Sequence, residues 1–183
     1  MHAAALSRVR IRTADPSEID LLAAIDDDAT MLFAEAGLDV DFAPDHEFVI
    51  HERRSWRACL AAGTTLLAND DLLGPVGFAM LGHLDGEAYI EQLSVRTQAM
   101  RRGIGTRLLG AASAMAQAAG ERAIVLTTYA HLAWNRPFYE RNGYVVCSDH
   151  VCGRELAREL EMQRRWLPLP EQRVAMRKSL RET

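Results

Sequence analysis

The segment EQLSVRTQAMRRGIGTRLLG, residues 91–110, constrains the fold more than any other part of the chain. Its first five residues are typical of a β-strand, and a Gly-x-Gly turn then leads into a helix that we predict over residues 103–119. The first N–H groups of a helix lack intrahelical acceptors and lie at the positive end of its dipole, so a glycine turn there favours an anion site. Arg101 and Arg102 add positive charge at the same place. A plain tight turn with exposed arginines is the alternative interpretation.

Two better-known phosphate motifs are excluded at this turn. No Gly-Lys-Ser or Gly-Lys-Thr follows, so the segment is not a P-loop, and Leu108 stands where the dinucleotide fingerprint requires its third glycine.

Strand and helix patterns alternate on both sides of the junction. VRIRT predicts a first strand, residues 16–37 a helix, and a second helical run ends near Gly63. TTLLAND, GPVGFAMLGHLDG and EAYIEQLSV predict three consecutive strands. After the junction helix come the strand AIVLTT, a short helix in WNRPFYERNGY, the strand YVVCS, the charged helix RELARELEMQRRW and the strand RVAMRKSL. This order predicts a single α/β domain over residues 1–183 with a mixed sheet.

Composition narrows the class of protein. The 183 residues, 49% hydrophobic and 25% charged, suit one soluble domain with a proper core. The apolar runs are too short to span a bilayer, and the chain start lacks a secretory apolar segment. Cys59, Cys147 and Cys152 form no CxxC pair, which favours a reducing cytoplasm. The first half is acidic and the second basic, which indicates ligands of opposite sign or mutual attraction of the halves.

Three segments in register resemble the GNAT N-acetyltransferases, whose acetyl-CoA-binding signature Gln/Arg-x-x-Gly-x-Gly/Ala follows a strand. YIEQLSV resembles the family's fourth strand, MRRGIGTRLL its pyrophosphate loop and helix, and NRPFYERNGY its later helix. The resemblance covers nearly the whole chain. It implies a single-domain fold with a mixed, mostly antiparallel sheet of about seven strands flanked by helices, with a splayed strand pair at the cofactor site.

The resemblance also implies acetyl-CoA as co-substrate and no metal. Backbone amides of residues 101–106 would hold the pyrophosphate, and main-chain groups of the preceding strand would hold the pantetheine arm. The candidate cofactor-binding residues are Leu93, Ser94, Val95, Arg101, Arg102, Gly103, Ile104, Gly105, Thr106 and Asn135. Two positions depart from the family pattern: Met100 replaces the usual Gln or Arg, and Leu132 replaces the usual cofactor-contacting Asn. A helix cap is the alternative role for Asn135.

Acetyl transfer to an amine requires the neutral amine. An alkyl ammonium has a pKa near ~10.4, so releasing its proton at pH 7 costs about 4–5 kcal/mol and calls for a base. The family match makes Glu91 the candidate general base and Glu87 the next candidate; a solvent-facing carboxylate paired with an arginine is the alternative. Tyr139 occupies the family's general-acid position, and a tyrosine that only packs in the core is the alternative.

The acceptor is predicted to be a cationic primary amine with an apolar portion. The acidic and apolar segment IDDDATMLFAEAGLDVDF, residues 25–42, lies where GNAT-like folds line the acceptor side, so Asp28 and Phe33 are candidate substrate residues. Solvating charges on a helix face are the alternative. The sequence does not separate a small amine from an antibiotic, a peptide or a protein lysine.

Other functions find less support. HEFVIH, from His46 to His51, has the wrong spacing for the HExxH zinc motif. The alternating charges of RELARELEMQRR predict a solvated helix surface, so neither nucleic acid nor a membrane is expected as a partner, and a homodimer stays open. The remaining rival is a non-catalytic acyl-CoA-binding sensor or regulatory module on the same fold.

Overall fold

The computed structural model describes residues 8–148 and 153–180, in which seven strands and five helices form one α/β unit. The strands are β1 (Val9–Thr13), β2 (Thr65–Asp70), β3 (Gly74–Leu84), β4 (Glu87–Val95), β5 (Ala123–Tyr129), β6 (Val145–Val146) and β7 (Arg173–Ser179). The helices are α1 (Ile19–Glu35), α2 (Glu47–Ala61), α3 (Ile104–Ala118), α4 (Arg136–Arg141) and α5 (Arg154–Trp166). Cys152, which entered the prediction of a reducing compartment, lies outside the described residues.

The strands form one sheet in the order β1-β2-β3-β4-β5-β7-β6. Every neighbouring pair is antiparallel except β4 and β5, which confirms the predicted mixed, mostly antiparallel sheet. Two elements are shorter than predicted. A 3₁₀ turn, Pro16–Glu18, precedes α1 because Asp15 and Glu18 form a capping box there, and β6 pairs with β7 over two residues only.

The parallel pair β4 and β5 separates after three residues, which confirms the predicted splay. Ala88, Tyr89 and Ile90 pair with β5, whereas β4 continues to Val95 without a partner on that side. The unpaired main chain of this last part of β4 therefore borders an opening in the sheet.

A β-bulge lies where the two strands begin to separate. On the other side of β4, Leu81 pairs with Ile90 and Met80 with Gln92, so Glu91 is an extra residue with no partner on β3. A bulge bends its strand and changes the direction of the side chains that follow. Gln92 and Ser94 accordingly both hydrogen-bond Asp26 of α1.

Helices cover both faces of the sheet. The face with Leu66 and Ile90 packs against α3 and α4, and the face with Phe78 and Met80 packs against α1 and α2. Helix α5 covers the second face beside Tyr89 and Val125. None of the helices in the described residues combines the length and apolarity needed to cross a bilayer.

Candidate active site

A cleft of about 910 Å³ opens where β4 and β5 diverge. One end is lined by the loop before α3, by α3 itself and by α4, and the other end by residues of α1, α2 and α5. We call the first the cofactor half and the second the acceptor half. The volume lies in the range of ligand pockets in proteins, about 300–1,000 Å³.

The loop before α3 forms a cradle of backbone N–H groups in the cofactor half. Arg101 (φ 58°) and Gly103 (φ 75°) both adopt left-handed backbone angles, and both line the cleft. A Cβ at Gly103 would meet nothing within 4 Å, so glycine is favoured there by conformation and not by space. Within the described residues, no backbone carbonyl accepts from the N–H groups of Ile104, Gly105 and Thr106. Such converging N–H groups at a helix N-terminus suit the phosphates of CoA.

Gly105 differs from Gly103, because its neighbourhood is crowded. A Cβ at Gly105 would lie 3.1 Å from Cζ of Phe138, which belongs to α4. The absence of a side chain therefore lets α3 pack closely against α4 at the edge of the cleft. The sequence also predicts that Gly105 lets the phosphates approach the main chain, and that role stays a prediction.

The two arginines of the loop lie in different surroundings. Arg102 Nη2 is 2.6 Å from Oδ2 of Asp70, whose side chain is fully buried, so this guanidinium ties the loop to β2. Arg101 is exposed and lines the cleft. The structure thus leaves Arg101, and not Arg102, with a side chain at the cleft.

The last part of β4 offers main-chain groups to the cleft. Leu93, Ser94 and Val95 all line it, on the strand edge that β5 leaves unpaired. The Ser94 hydroxyl donates to Asp26 and is therefore occupied. The resemblance predicts the same kind of main-chain contact for this segment.

Asn135 stands at the N-cap position of α4 but does not cap it with its side chain. Its main-chain carbonyl accepts from Tyr139 N at 3.0 Å, while its side chain makes no capping hydrogen bond and the residue lines the cleft. The capping alternative thus applies to its backbone only. Leu132, at the family's usual asparagine position, is buried.

Glu91 lies between the two halves of the cleft, at the bulge of β4. Its carboxylate lies near Ser55 of α2 and over Gly82 of β3. Burial raises its pKa to about 7, the negative charge of Glu159 adds to the rise, and the nearby Ser55 hydroxyl opposes it. At neutral pH this carboxyl can therefore either hold or release a proton.

Glu87, the other candidate base, has different surroundings. Its two carboxylate oxygens accept from Arg177 at 2.5 and 3.0 Å, and it is not among the residues that line the cleft. This is the arginine-paired arrangement that the sequence analysis gave as the alternative for Glu91.

Tyr139 lines the cleft from α4 and is 9% exposed. Its ring contacts Phe138 and Tyr144, with centroids 5.2 and 5.7 Å away. Burial raises its pKa to about 12, against a smaller lowering by the charge of Arg173. The phenol therefore keeps its proton at neutral pH.

A buried polar network in the acceptor half was missed by the sequence analysis. Glu159, 7% exposed, accepts from His51 Nε2 at 3.1 Å and from Gln163 Nε2 at 2.7 Å, and Gln163 accepts in turn from Thr127 at 2.7 Å. The prediction that the polar face of RELARELEMQRR is wholly solvated is wrong for Glu159 and Gln163. Both lie on the apolar stripe of α5, beside Leu156 and Leu160, and that spacing could have revealed them.

Glu52 of α2 is a second acid that the sequence analysis missed. It lines the cleft one turn before the buried Trp56, again on the apolar stripe of its helix. Burial first, and then the charge of Asp26, raise its pKa to about 8. Among the described residues, it forms no ion pair within 4.0 Å.

The two predicted substrate residues are not brought together. Phe33 lines the cleft, with ring centroids 6.1 Å from Tyr129 and 6.3 Å from Trp134. Asp28 instead accepts from the N–H and hydroxyl of Thr97, at 2.6 and 3.1 Å, and is not among the cleft-lining residues. In the described ranges, no group of three or more His, Cys, Asp or Glu side chains is placed to hold a metal ion.

Comparison with known proteins relates this chain to acetyltransferases. Residues 24–144 match the model of the acetyltransferase (GNAT) family. Among solved structures, the N-acetylglutamate synthase from Neisseria gonorrhoeae, complexed with coenzyme A and N-acetyl-glutamate, is similar with a TM-score of 0.68 and 17% identity; the match covers 96% of this chain but only 36% of that one.

Two smaller proteins match over almost their whole length. The PaiA N-acetyltransferase from Thermoplasma acidophilum, in complex with coenzyme A, has a TM-score of 0.67 and 17% identity, over 94% of this chain and 99% of that chain. A GNAT-family acetyltransferase from Staphylococcus aureus Mu50 has a TM-score of 0.68 and 16% identity, over 95% and 100%. These likenesses show a common fold.

Proposed function

The chain belongs to the GNAT family of acetyltransferases, and from that premise we propose that it transfers the acetyl group of acetyl-CoA to a primary amine. The observation that carries the proposal is the place of Glu91. This half-buried carboxylate, with a pKa of about 7, lies between a backbone phosphate cradle and an acidic, aromatic acceptor half.

The cofactor half fits CoA in two respects. The free N–H groups at the start of α3, with the exposed guanidinium of Arg101, suit its phosphates. The main chain of Leu93 to Val95 is unpaired on the side of β5, so it can hydrogen-bond the amides of a pantetheine arm. The arm would then lie along β4 in the position of an additional strand. Asn135 would contribute its uncommitted side chain. Acetyl-CoA, when bound, supplies an acetyl group activated as a thioester.

Glu91 is assigned as the general base. A carboxylate with its pKa near 7 accepts a proton from an ammonium more readily than one of ordinary acidity, and it still has an ionised form at neutral pH. Glu91 takes one proton from the ammonium, and the free amine attacks the thioester carbonyl directly, so that an N–C bond forms and the C–S bond breaks. The second proton that nitrogen loses goes to solvent, which in turn protonates the departing thiolate.

Tyr139 is assigned as the general acid for the leaving sulfur, with a restriction set by its pKa. Full proton transfer from a phenol of pKa about 12 to the anion of a thiol with pKa about 8.5 would cost about 5 kcal/mol. Tyr139 therefore acts mainly by donating a hydrogen bond as negative charge develops on sulfur, and solvent completes the protonation.

The acceptor is assigned as a cationic amine with an apolar portion. The acceptor half combines the negative charge of Glu159 and the largely protonated acid Glu52 with the rings of Phe33 and Trp134, and Glu91 borders it. Carboxylates attract ammonium groups, and aromatic faces bind both cations and apolar chains. Phe33 keeps the role given to it by the sequence, whereas the acidic part of the site is assigned to α2, β4 and α5 in place of Asp28.

The test is a screen of amines with acetyl-CoA, followed by the release of free thiol. We expect turnover with cationic amines that carry alkyl or aryl groups, and we expect it to persist in the presence of a chelator. If acetyl-CoA binds but no amine among small amines, aminoglycosides and peptides gives thiol release above the hydrolysis background, the chain is instead the non-catalytic sensor considered above.

A further inference from the structure

Gly82 lies inside β3, at a position where the backbone conformation does not require a glycine. Its φ is not in the left-handed region, unlike that of seven other glycines in the described chain. Glycine in a strand interior costs stability and commonly marks a place where another group comes close. The group that comes close here is the side chain of Glu91.

The contact is tight and specific. A Cβ built on Gly82 would overlap Oε1 of Glu91 and would lie 3.0 Å from its Cγ and 3.1 Å from its Cδ, and these are the three nearest atoms. Gly82 pairs with Tyr89, two residues before Glu91 on the neighbouring strand. The bulge turns Glu91 toward β3, and the missing side chain at Gly82 provides the space that its carboxylate fills.

We propose that Gly82 is a positioning residue: its lack of a side chain seats the carboxylate of Glu91 at the junction of the two cleft halves. This proposal rests on the proposed role of Glu91 as base. With a methyl group at position 82, the carboxylate end of Glu91 must turn away from β3, and Cγ and Cδ must give way by a few tenths of an ångström. The carboxylate would then move away from the nearby Ser55 hydroxyl, which favours its charged form.

A displaced Glu91 side chain can move only toward the cleft, because β3 closes the other side. There the carboxylate would be better hydrated, and its pKa would fall from about 7 toward its ordinary value. The charge of Glu159 of α5 raises the pKa of Glu91, and the charge of Glu91 in turn raises the pKa values of three neighbours: Glu52 and Cys59 of α2 and Tyr89 of β4. None of their side chains is altered by a change at Gly82.

The first test measures packing and does not depend on activity. The melting temperature is measured for the wild type, Gly82→Ala, Glu91→Ala and the double variant. We expect Gly82→Ala to lower the melting temperature in the wild type, and to leave it equal or higher in the Glu91→Ala background, where the clashing atoms are gone. Equal losses in both backgrounds would overturn the proposal.

The second test measures the effect on catalysis. Gly82→Ala should lower kcat at least tenfold near pH ~8, where Glu91 is ionised and the amine is still protonated, move the acidic limb of the pH–rate profile to lower pH, and leave the Kd of acetyl-CoA within about twofold. Glu91→Asp has a shorter side chain, so it should cost less kcat in the Gly82→Ala background than in the wild type. Gly110→Ala, at an exposed position of α3 with nothing within 4 Å of its Cβ, is the matched control and should match the wild type.

The outcomes separate the two proposals. If Glu91→Gln is impaired but Gly82→Ala keeps the wild-type kcat and acidic limb, Gly82 does not position the base. If Glu91→Gln itself matches the wild type, the base assignment fails, and the melting-temperature cycle still decides whether Gly82 seats that side chain.

Discussion

At the scale of single residues, burial acts on both proposed catalytic groups, with opposite consequences. It raises the pKa of Glu91 to about 7, which strengthens a base, and that of Tyr139 to about 12, which weakens an acid. The two residues should therefore contribute unequally to the rate.

Replacing Tyr139 with Phe removes the hydroxyl and keeps the ring that packs against Tyr144. A hydrogen bond to a developing anion contributes about 1.5–3 kcal/mol, so we expect kcat to fall roughly 10- to 100-fold. The Kd of acetyl-CoA, measured by calorimetry, should stay nearly constant. A loss that appears in Kd with kcat unchanged would assign Tyr139 to cofactor binding.

At the scale of elements, the loop and the first turn of α3 act together. Arg101 and Gly103 hold the loop in a left-handed conformation, and Arg102 ties it to Asp70 of β2. The loop that lines the cleft is therefore held in one conformation before any ligand arrives.

Gly103→Ala tests that arrangement. A left-handed backbone costs a residue with a side chain about 1–2 kcal/mol, so we expect acetyl-CoA affinity to fall roughly 5- to 30-fold. Calorimetric titration of Gly103→Ala beside Gly110→Ala measures it, since Gly110 has an ordinary helical backbone and open space. Equal affinities for both variants would place the phosphates elsewhere.

The sequence predicted which elements build this site, but it predicted less of how their side chains are arranged. The order of strands, the junction and the short helix with Tyr139 follow local patterns of spacing and turn residues. The bulge at Glu91 has no such signal, because it depends on how β3 and β4 pair. The ion pair of Arg102 with Asp70 joins residues 32 positions apart, and the hydrogen bond of Thr97 to Asp28 joins residues 69 positions apart. Local patterns do not predict contacts over such separations. Glu52 and Glu159 could have been found, since both interrupt an apolar helical stripe.

At the scale of the whole molecule, the acidic cleft should set the pH dependence of stability. Burial raises the pKa of Glu52 to about 8 and of Glu91 to about 7 from an ordinary 4.5. Between pH 4.5 and about pH 8 the folded chain binds more protons than the unfolded chain, so the free energy of unfolding falls as the pH rises. Asp15 and Glu18, whose pKa values are lowered, act only below this window.

We therefore expect the melting temperature to fall between about pH 5 and pH 8, with a smaller slope in Glu52→Gln. Glu47→Gln, on the same helix but exposed and outside the cleft, is the matched control and should keep the wild-type slope. If the slope of Glu52→Gln equals that of the control, Glu52 does not hold its proton in the folded state.

The pH–rate profile of Glu91→Gln, with acetyl-CoA and an amine found in the screen, tests the central claim most directly. The variant keeps the shape of the side chain and removes the base. At pH 7 we expect a deficit on the order of 10²–10⁴-fold, which shrinks toward pH ~10 because free amine then forms without help. Glu87→Gln, which alters a carboxylate held by Arg177 outside the cleft, should keep the wild-type profile. A Glu91→Gln enzyme whose rate and profile match the wild type would contradict the account.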